Sequence, residues 1–255
     1  MKVFKIGGNV IDNKALLEKF LKDFSKVEGP KILVHGGGKL ATKLANDIGV
    51  EVKMIDGRRI TDDAMLDVVT MVYAGLINKN VVAKLQSHSI NAIGLSGADA
   101  NVIQAKRRVH PTIDYGNVGD IEKVNAKSLI DFSKLGICPV LSAITHDNKG
   151  NLLNTNADTI AAEIAKACSE YEETELIYVF ELDGVLVDIN DSSSLIEEID
   201  FGKYEQLKSK GIIAGGMIPK LDNSFEAINN GVKLVRITNP NYVSDLTQKH
   251  TVLKK

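Results

Sequence analysis

Three glycine clusters in the sequence each lie near a lysine, a combination suited to phosphate binding. They are Gly7-Gly8 with Lys5, Gly36-Gly37-Gly38 with Lys39, and Gly215-Gly216 with Lys220. Because glycine has no Cβ, backbone N–H groups in such turns can approach an anion closely, and a following helix adds its positive end. We therefore predict that these turns surround a phosphate group.

The second cluster matches neither common phosphate-binding motif. A Walker A loop would need a Ser or Thr where Leu40 stands and a glycine where Leu33 stands. The dinucleotide fingerprint G-x-G-x-x-G is also absent. The sequence therefore argues against an NAD-dependent oxidoreductase and for a different kind of phosphate chemistry.

Charged residues near these turns are candidates for the same site. Lys5 interrupts an apolar strand, which is costly unless its ammonium reaches a ligand at the strand end; an edge strand with a solvated lysine is the alternative. Asp158 follows amides in NTNAD at a predicted helix start, where the helix dipole alone would favour it. GRRIT offers a guanidinium for a carboxylate, and one of Arg58 and Arg59 is expected to be solvated.

Short apolar runs alternate with segments of helical period along the chain. Strands are predicted at 3–6, 32–34, 92–95, 137–141, 176–180 and 232–237, and helices at 14–24, 39–48, 62–76, 126–135, 158–167, 204–209 and 217–229. The Gly-, Asp- and Asn-rich segment 107–125 predicts turns or a hairpin. This alternation predicts an α/β sandwich with a mainly parallel sheet and ligands at the carboxyl ends of its strands. The charged EYEETE stretch places a boundary between 1–172 and 173–255.

Composition excludes several classes of partner. The net charge of −2 over 255 residues gives no basic surface for nucleic acid and no polybasic membrane stripe. No apolar run approaches the roughly 20 residues of a membrane span, and no signal peptide is visible. Cys138 and Cys168 have neither CxxC nor metal-ligand spacing, so we expect them reduced and buried in a cytoplasmic protein without a protein-held metal.

Six motifs in this order resemble the amino acid kinase superfamily, and most closely its branch that phosphorylates N-acylglutamates. They are KIGG, HGGG, GRRIT, GLSGAD, NTNAD and GGMIPK, between Lys2 and about Asn230. The resemblance implies a carbamate kinase-like fold, a three-layer αβα sandwich. It also implies ATP-dependent phosphorylation of the side-chain carboxylate of N-acetyl-L-glutamate, the second step of arginine biosynthesis. A carboxylate is already a nucleophile, so this reaction needs positioning and charge neutralisation rather than a general base.

The resemblance also implies roles for individual residues. Lys5 would neutralise the transferring phosphoryl group and Lys220 the leaving oxygens, with Asp158 holding both lysines. Gly8 and Gly37 would donate backbone N–H groups. The implied substrate-binding residues are Gly37, Gly38, Arg59, Asn154 and Asn156, with Arg59 on the α-carboxylate. The implied nucleotide-binding residues are Glu181, Leu182, Asp183, Gly184, Ile212, Ile213, Ala214 and Gly216. Magnesium would be carried by the nucleotide.

By the same resemblance, residues 1–172 would bind the acylglutamate and form a homodimer, and residues 173–255 would bind ATP. Arginine-inhibited hexameric members carry an extra N-terminal helix before the first strand, so a dimer insensitive to arginine is expected here. The apolar segment Met65 to Ile77 is the candidate interface, although core packing explains its apolar face equally well.

The chain departs from the family pattern at three places. Phe180-Glu181 stands where a hydroxyl residue and Asp are usual, which leaves the nucleotide contacts open. The acyl-side loop has Ala98 and Asn101 in place of lysine and glycine, so N-succinyl-L-glutamate is an alternative to the acetyl substrate. The tail after Thr238 diverges and is short.

Two further functions remain open at this stage. One is a superfamily kinase for carbamate, phosphate or another carboxylate. The other is a non-catalytic sensor that binds an amino acid or nucleotide. The presence of Lys5, Asp158 and Lys220 together argues against a sensor, since a binder needs no charges directed at a leaving group.

Overall fold

Strands β1 (Lys2–Ile6) and β2 (Lys31–His35) pair in parallel within an eight-stranded sheet. The computed structural model describes residues 1–55, 57–215, 217–245 and 247–255. The sheet order is β12-β14-β13-β11-β1-β2-β8-β5, and only β13 and β14 pair antiparallel. The remaining strands are β5 (Ala92–Leu95), β8 (Cys138–Leu141), β11 (Glu175–Val179), β12 (Glu198–Ile199), β13 (Leu234–Thr238) and β14 (Thr251–Leu253).

Helices cover this sheet and complete the αβα sandwich. They are α1 (Gly8–Asp12), α2 (Lys14–Lys26), α3 (Gly38–Asp47), α4 (Asp63–Val69), α5 (Asn78–Ser87), α6 (Ala126–Lys134), α7 (Ala157–Ser169), α8 (Phe201–Ser209) and α9 (Met217–Asn229). Helix α7 packs on β1, β2 and β11 and contacts both α6 and α9, while α2 contacts α5. Because helices lie on the sheet faces, β2 is buried along its whole length, and its centre, Ile32–Val34, is a continuous apolar run.

Two smaller sheets lie outside the central one. Strands β6 (Ile103–Arg107), β7 (Gly119–Val124), β9 (Ile144–His146) and β10 (Leu152–Asn154) form a sheet in the order β10-β9-β6-β7. The antiparallel pair of β6 and β7 is the hairpin that the polar segment predicts. Strands β3 (Met54–Ile55) and β4 (Arg58–Arg59) form the third sheet, a two-stranded ribbon that carries both arginines of GRRIT.

The long helical segment from Asp63 to Ser87 has a wide turn in its middle. Asp62 caps it by accepting a hydrogen bond from the Met65 N–H, and a π-helix (Thr70–Ile77) separates α4 from α5. The segment is long and apolar enough to cross a membrane by length and composition alone. Its apolar residues instead join the core of the sandwich; those buried are Met65, Val68, Val69, Val72, Tyr73, Ile77, Val81 and Leu85.

The predicted strands and helices are confirmed with shifts of a few residues at their ends. The predicted set lacked the short strands β3, β4, β9, β10, β12 and β14. The divergent tail supplies β14, which pairs antiparallel with β13 and extends the central sheet. The sheet is also continuous across the predicted boundary at 172, because β1 pairs with β11.

Candidate functional site

The turns at Gly7-Gly8 and Gly36–Gly38 and the Phe180-Glu181 pair meet at one edge of the central sheet. Strands β11, β1 and β2 are neighbours and run parallel, so their carboxyl ends lie side by side. Gly7 follows β1, Gly36 follows β2 and Phe180 follows β11. Parallel α/β sheets bind their ligands at such an edge.

Asp158 joins the two lysines that the sequence places in the site. Its Oδ1 lies 2.7 Å from the Lys5 ammonium and its Oδ2 lies 3.8 Å from the Lys220 ammonium. Burial would raise the pKa of Asp158, but Lys5 and Lys220 outweigh it and hold the pKa below its usual range. The carboxylate is therefore ionised at neutral pH and binds two cations that come from β1 and α9.

Burial also acts on Lys220. It lowers the pKa of this ammonium, and Lys5 adds to that effect, whereas Asp158 and then Glu181 oppose it. The Lys220 ammonium lies 3.6 Å from the centre of the Phe180 ring, and the Lys5 ammonium lies 5.7 Å from it. An aromatic face attracts a cation at these distances. The Phe180 ring is thus an additional neighbour of both lysines.

The first turn of α7 fixes the position of Asp158. The side chain of Asn156 caps this helix by accepting hydrogen bonds from the N–H groups of Asp158 and Thr159, at 2.8 and 3.1 Å. The Tyr178 hydroxyl donates to the Asp158 carbonyl oxygen at 3.2 Å. Asn156, expected to bind substrate, therefore also has a structural role at the start of α7.

A cleft of about 220 Å³ opens beside this turn. It is lined by all five of the predicted substrate-binding residues, including Asn156, which caps the helix that carries Asp158. Its lining comprises Gly36, Gly37, Gly38, Met54, Gly57, Arg58, Arg59, Tyr73, Val118, Ala143, Asn154, Thr155, Asn156 and Ala157. Ala98 and Asn101, the predicted modifiers of the acyl pocket, are not in this described lining. Asn101 instead pairs with the His146 ring at 2.8 Å.

Arg59 is held rigidly in the wall of the cleft. It is 8% exposed, and its Nη2 donates to the Gly38 carbonyl oxygen at 3.0 Å and to the Thr42 hydroxyl at 2.8 Å. These two bonds tie β4 to α3. Asn154 is fixed similarly, because its amide donates to the Thr61 hydroxyl at 3.0 Å. Both polar groups are thus oriented before any ligand binds.

The turn at Gly37 requires glycine because it packs directly against the π-helix. A Cβ at this position would lie 2.1 Å from Ile77 Cδ1 and 3.1 Å from Tyr73 Cδ1. Burial raises the pKa of Tyr73, which adjoins Arg59, so its hydroxyl stays neutral at physiological pH. The close approach brings the backbone of Gly37 against the aromatic wall of the cleft.

His35 also holds the Gly36–Gly38 turn in place. Its Nδ1 lies 3.0 Å from the Gly36 carbonyl oxygen, and its Nε2 lies 3.0 Å from the Asn78 amide nitrogen, which also donates to the Val140 carbonyl oxygen. A carbonyl can only accept and an amide N–H only donate, so His35 carries its proton on Nδ1. Complete burial lowers the pKa of His35 to about 4, and the ring is neutral.

A chain of polar side chains links three of the strand ends. The Lys39 ammonium donates to the Asn9 side-chain oxygen, and the Asn9 amide donates to a Glu181 carboxylate oxygen. All three residues are exposed. The sequence singled out Lys39 and Glu181, but it gave no signal that Asn9 would connect them.

The predicted nucleotide-binding residues follow β11 and precede α9. Asp183 accepts from the Asn239 amide and lies 3.4 Å from the Lys249 ammonium. Gly184 is buried beside Thr251, and Ile213 is only 2% exposed and belongs to the core, where its N–H donates to the Leu207 carbonyl oxygen at 3.3 Å. Leu182 and Ile212 are half-buried and Ala214 is exposed, whereas Gly216 lies outside the described residues.

The structure thus brings Lys5, Asp158 and Lys220 together and gathers Gly37, Gly38, Arg59 and Asn154 around the cleft. Gly8, the first residue of α1, lies at the same sheet edge. Sequence reasoning missed the lining residues Met54, Tyr73, Val118, Ala143 and Thr155. The sequence around each of them indicates only a core or turn position, and their location at the cleft follows from the fold.

No group of three or more His, Cys, Asp or Glu side chains in the described ranges could hold a metal ion. Cys138 and Cys168 are both free and buried, and burial raises the pKa of each thiol to about 12. Neither thiol therefore supplies a nucleophile or a metal ligand at neutral pH.

Solved structures with this architecture are known. The smu.665 protein of Streptococcus mutans superimposes with a TM-score of 0.78 at 26% identity, over 99% of this chain and 98% of that one. Carbamate kinase from Giardia lamblia superimposes with a TM-score of 0.72 at 16% identity, over 100% of this chain and 98% of that one. The carbamate kinase-like fold is therefore confirmed.

The sequence comparisons are more specific than the fold. Residues 1–239 match the amino acid kinase family. The acetylglutamate kinase of Bacteroides thetaiotaomicron is 53% identical over 245 residues, which span 96% of this chain and 95% of that protein. The motif resemblance is confirmed by these matches. The chain belongs to the amino acid kinase family and, within it, to the acetylglutamate kinases.

Proposed function

We propose that this protein transfers the γ-phosphoryl group of ATP to the side-chain carboxylate of N-acetyl-L-glutamate. The product is N-acetyl-L-glutamyl 5-phosphate, an intermediate of arginine biosynthesis. The observation that carries the proposal is the contact of one carboxylate, Asp158, with two lysines from different elements, Lys5 and Lys220, beside a cleft lined by Arg59.

The chemistry requires that two anions approach each other. The substrate carboxylate attacks phosphorus while the bond to the ADP oxygen breaks, and no proton has to be removed from the nucleophile. Lys5 neutralises the transferring group and Lys220 the leaving oxygens. Asp158 keeps both ammonium groups in place, and the backbone N–H groups of Gly8 and Gly37 add fixed dipoles.

The cleft supplies the acylglutamate side of the site. Arg59 is already oriented by Gly38 and Thr42, and its remaining N–H groups bind the α-carboxylate. Asn154 and Gly38 bind the rest of the glutamate. The side-chain carboxylate then points toward Gly37 and Lys5.

The nucleotide occupies the side of the site formed by the segment after β11 and the segment before α9. Residues 173–255 act as the ATP-binding part and residues 1–172 as the acylglutamate part. Glu181, held by Asn9, takes the place of the usual Asp. Magnesium would be held by the phosphates of ATP, as is usual for this ion, and would supply positive charge there.

The protein acts in the cytoplasm as a homodimer insensitive to arginine. The π-helix exposes Met71 and Leu76 by 52% and 56%, a costly arrangement for large apolar side chains unless they are covered. Replacement of both by lysine should yield monomers in size-exclusion chromatography with light scattering. A wild-type protein that is already monomeric would contradict the dimer.

The activity is tested by ADP release with ATP, magnesium and one acceptor at a time. N-acetyl-L-glutamate should give turnover, whereas free L-glutamate, L-aspartate and carbamate should not. Release of ADP with another acceptor in place of N-acetyl-L-glutamate would assign a different kinase activity. Nucleotide binding without turnover of any acceptor would point to a sensor.

A further inference from the structure

One wall of the cleft has no evident partner on the acetyl substrate. With the side-chain carboxylate at Gly37 and the α-carboxylate at Arg59, the acyl group must extend from the α-carbon toward the rest of the lining. The β3–β4 ribbon contributes Met54, Gly57 and Arg58 to that lining. An acetyl group ends in a methyl, which gains little from a guanidinium.

Arg58 differs from Arg59 in how its charge is balanced. It is half-buried in the cleft wall, yet its side chain makes no hydrogen bond or ion pair within residues 1–55, 57–215, 217–245 and 247–255. Neighbouring residues of a strand point to opposite sides, so Arg58 faces away from the groups that hold Arg59. Burial lowers the pKa of Arg58, and the charge of Arg108 adds to this effect.

The nearby carboxylate of Asp120 is already engaged. Arg108 Nε donates to both oxygens of Asp120, at 3.0 and 3.2 Å, and Arg108 Nη2 makes a further bond. The Arg108 guanidinium also lies 5.8 Å from the Tyr115 ring centre. Two guanidinium groups, Arg58 in the cleft wall and Arg108 behind it, are therefore balanced by one carboxylate, which Arg108 already binds.

From this imbalance we propose that Arg58 binds a carboxylate at the far end of the acyl group. The substrates that fit are N-acylglutamates whose acyl part is a short dicarboxylic acid, such as succinyl. This inference rests on the proposed kinase activity and specifies its substrate class. The residue that selects the acyl group then lies on β4 rather than on the loop that holds Ala98 and Asn101.

The physical reason is the cost of a half-buried cation without a partner. A carboxylate that enters the cleft pairs with the planar fork of Arg58 in a bidentate manner and restores the balance of charge. A neutral acyl group of equal length buries the Arg58 guanidinium further without supplying a counter-charge. The predicted consequence is a preference of at least about tenfold for the charged acyl group over its neutral counterpart.

The test compares three substrates by ADP release, each with saturating ATP and magnesium. N-succinyl-L-glutamate carries the extra carboxylate, N-butyryl-L-glutamate has the same carbon chain with a methyl in its place, and N-acetyl-L-glutamate is the short reference. Wild type should show a kcat/KM for the succinyl substrate at least about tenfold above that for the butyryl substrate. This ratio needs no variant and is independent of any folding defect.

Variants then assign the preference to a residue. Arg58→Leu should lower the succinyl-to-butyryl ratio to near one, and Arg58→Lys should retain part of it. Arg107→Leu is the matched control, because Arg107 is exposed and pairs with Asp114 within the β6–β7 hairpin, outside the cleft lining. The succinyl-to-butyryl ratio of this variant should equal that of wild type.

The possible failures are separable. A wild-type ratio at or below one, or a ratio that Arg58→Leu leaves unchanged, would overturn the role of Arg58 while leaving the kinase activity on N-acetyl-L-glutamate intact. Absence of ADP release with all three substrates would instead overturn the proposed kinase function, and the inference with it.

Discussion

The Lys220 ammonium lies 3.6 Å from the centre of the Phe180 ring. Phe180 stands at the position where the family pattern has a hydroxyl residue. Phe180 in turn stacks on Tyr178, with ring centres 5.9 Å apart and planes inclined by 10°. The ring is therefore fixed by the sheet and offers its face to a cation. In this protein an aromatic contact joins Asp158 in positioning Lys220.

Replacement of Phe180 tests that contact. Phe180→Leu keeps an apolar side chain but removes the aromatic face, so kcat should fall by roughly fivefold to thirtyfold, the equivalent of about 1–2 kcal/mol. Phe180→Tyr keeps the face and should retain most of the activity. An equal loss in both variants, or no loss in either, would contradict the role of the ring.

The pH profile of the same variant gives a second readout. The charged groups around Lys220 are Asp158, Lys5 and Glu181, and the net result of its surroundings is a lowered pKa. An aromatic face favours the ammonium, so its removal should lower this pKa further. The alkaline limb of kcat should therefore move to lower pH in Phe180→Leu; an unmoved or higher limb would exclude this effect.

Asp158→Asn should be more damaging to activity than to the fold. The amide keeps the shape of the side chain but leaves Lys5 and Lys220 without their shared counter-charge, so we expect kcat to fall by about a hundredfold or more. Asp131→Asn, which breaks exposed pairs with Lys127 and Lys134, is the control and should behave as wild type. Turnover of Asp158→Asn within a few-fold of wild type would contradict the assignment.

Arg59→Ala should act on binding. Loss of a charge-assisted contact raises the KM for the acylglutamate, by roughly thirtyfold or more, with kcat at saturation little changed. The KM of Arg59→Lys should fall between those of wild type and Arg59→Ala, because lysine keeps the charge but lacks the planar guanidinium group. A large loss of kcat with an unchanged KM would remove Arg59 from the role of α-carboxylate ligand.

His35 makes stability depend on pH. Its pKa is lowered to about 4 by burial, so between the unfolded value and pH 4 the unfolded chain binds more protons than the folded one. The free energy of unfolding should therefore fall by about 2 kcal/mol on acidification from pH 7.5 to pH 5 through this group alone. Urea unfolding at both pH values should show a smaller fall for His35→Gln; equal falls would contradict it.

The fold and the principal site residues follow from local patterns in the sequence. Strand β2 and helix α3 have clear periodicities on either side of Gly36–Gly38, and Asp62 and Asn156 occupy predictable positions at helix starts. Strands β9 and β10 have only three residues each and carry too little pattern to be recognised. The same limit applies to β14, which is recognised as a strand only from its pairing with β12 and β13.

Other features depend on contacts between distant segments and were not available from the sequence. The motif GRRIT offers two adjacent arginines, but only the packing of β4 against α3 decides that Arg59 is held, while the Arg58 side chain has no hydrogen-bond partner among the described residues. Phe180 was visible as a departure from the family pattern, whereas its position beneath Lys220 depends on the placement of α9. The π-helix that packs against Gly37 likewise cannot be recognised from the spacing of apolar residues in the sequence.

The central claim is that the protein makes an acyl phosphate, and hydroxylamine trapping measures that product directly. Purified protein with ATP, magnesium and N-acetyl-L-glutamate should convert hydroxylamine into the hydroxamate of the acylglutamate. Lys220→Ala, folded to the same extent, should give almost none. Absence of hydroxamate from the wild-type protein, in a sample that binds ATP and is folded, would contradict the account.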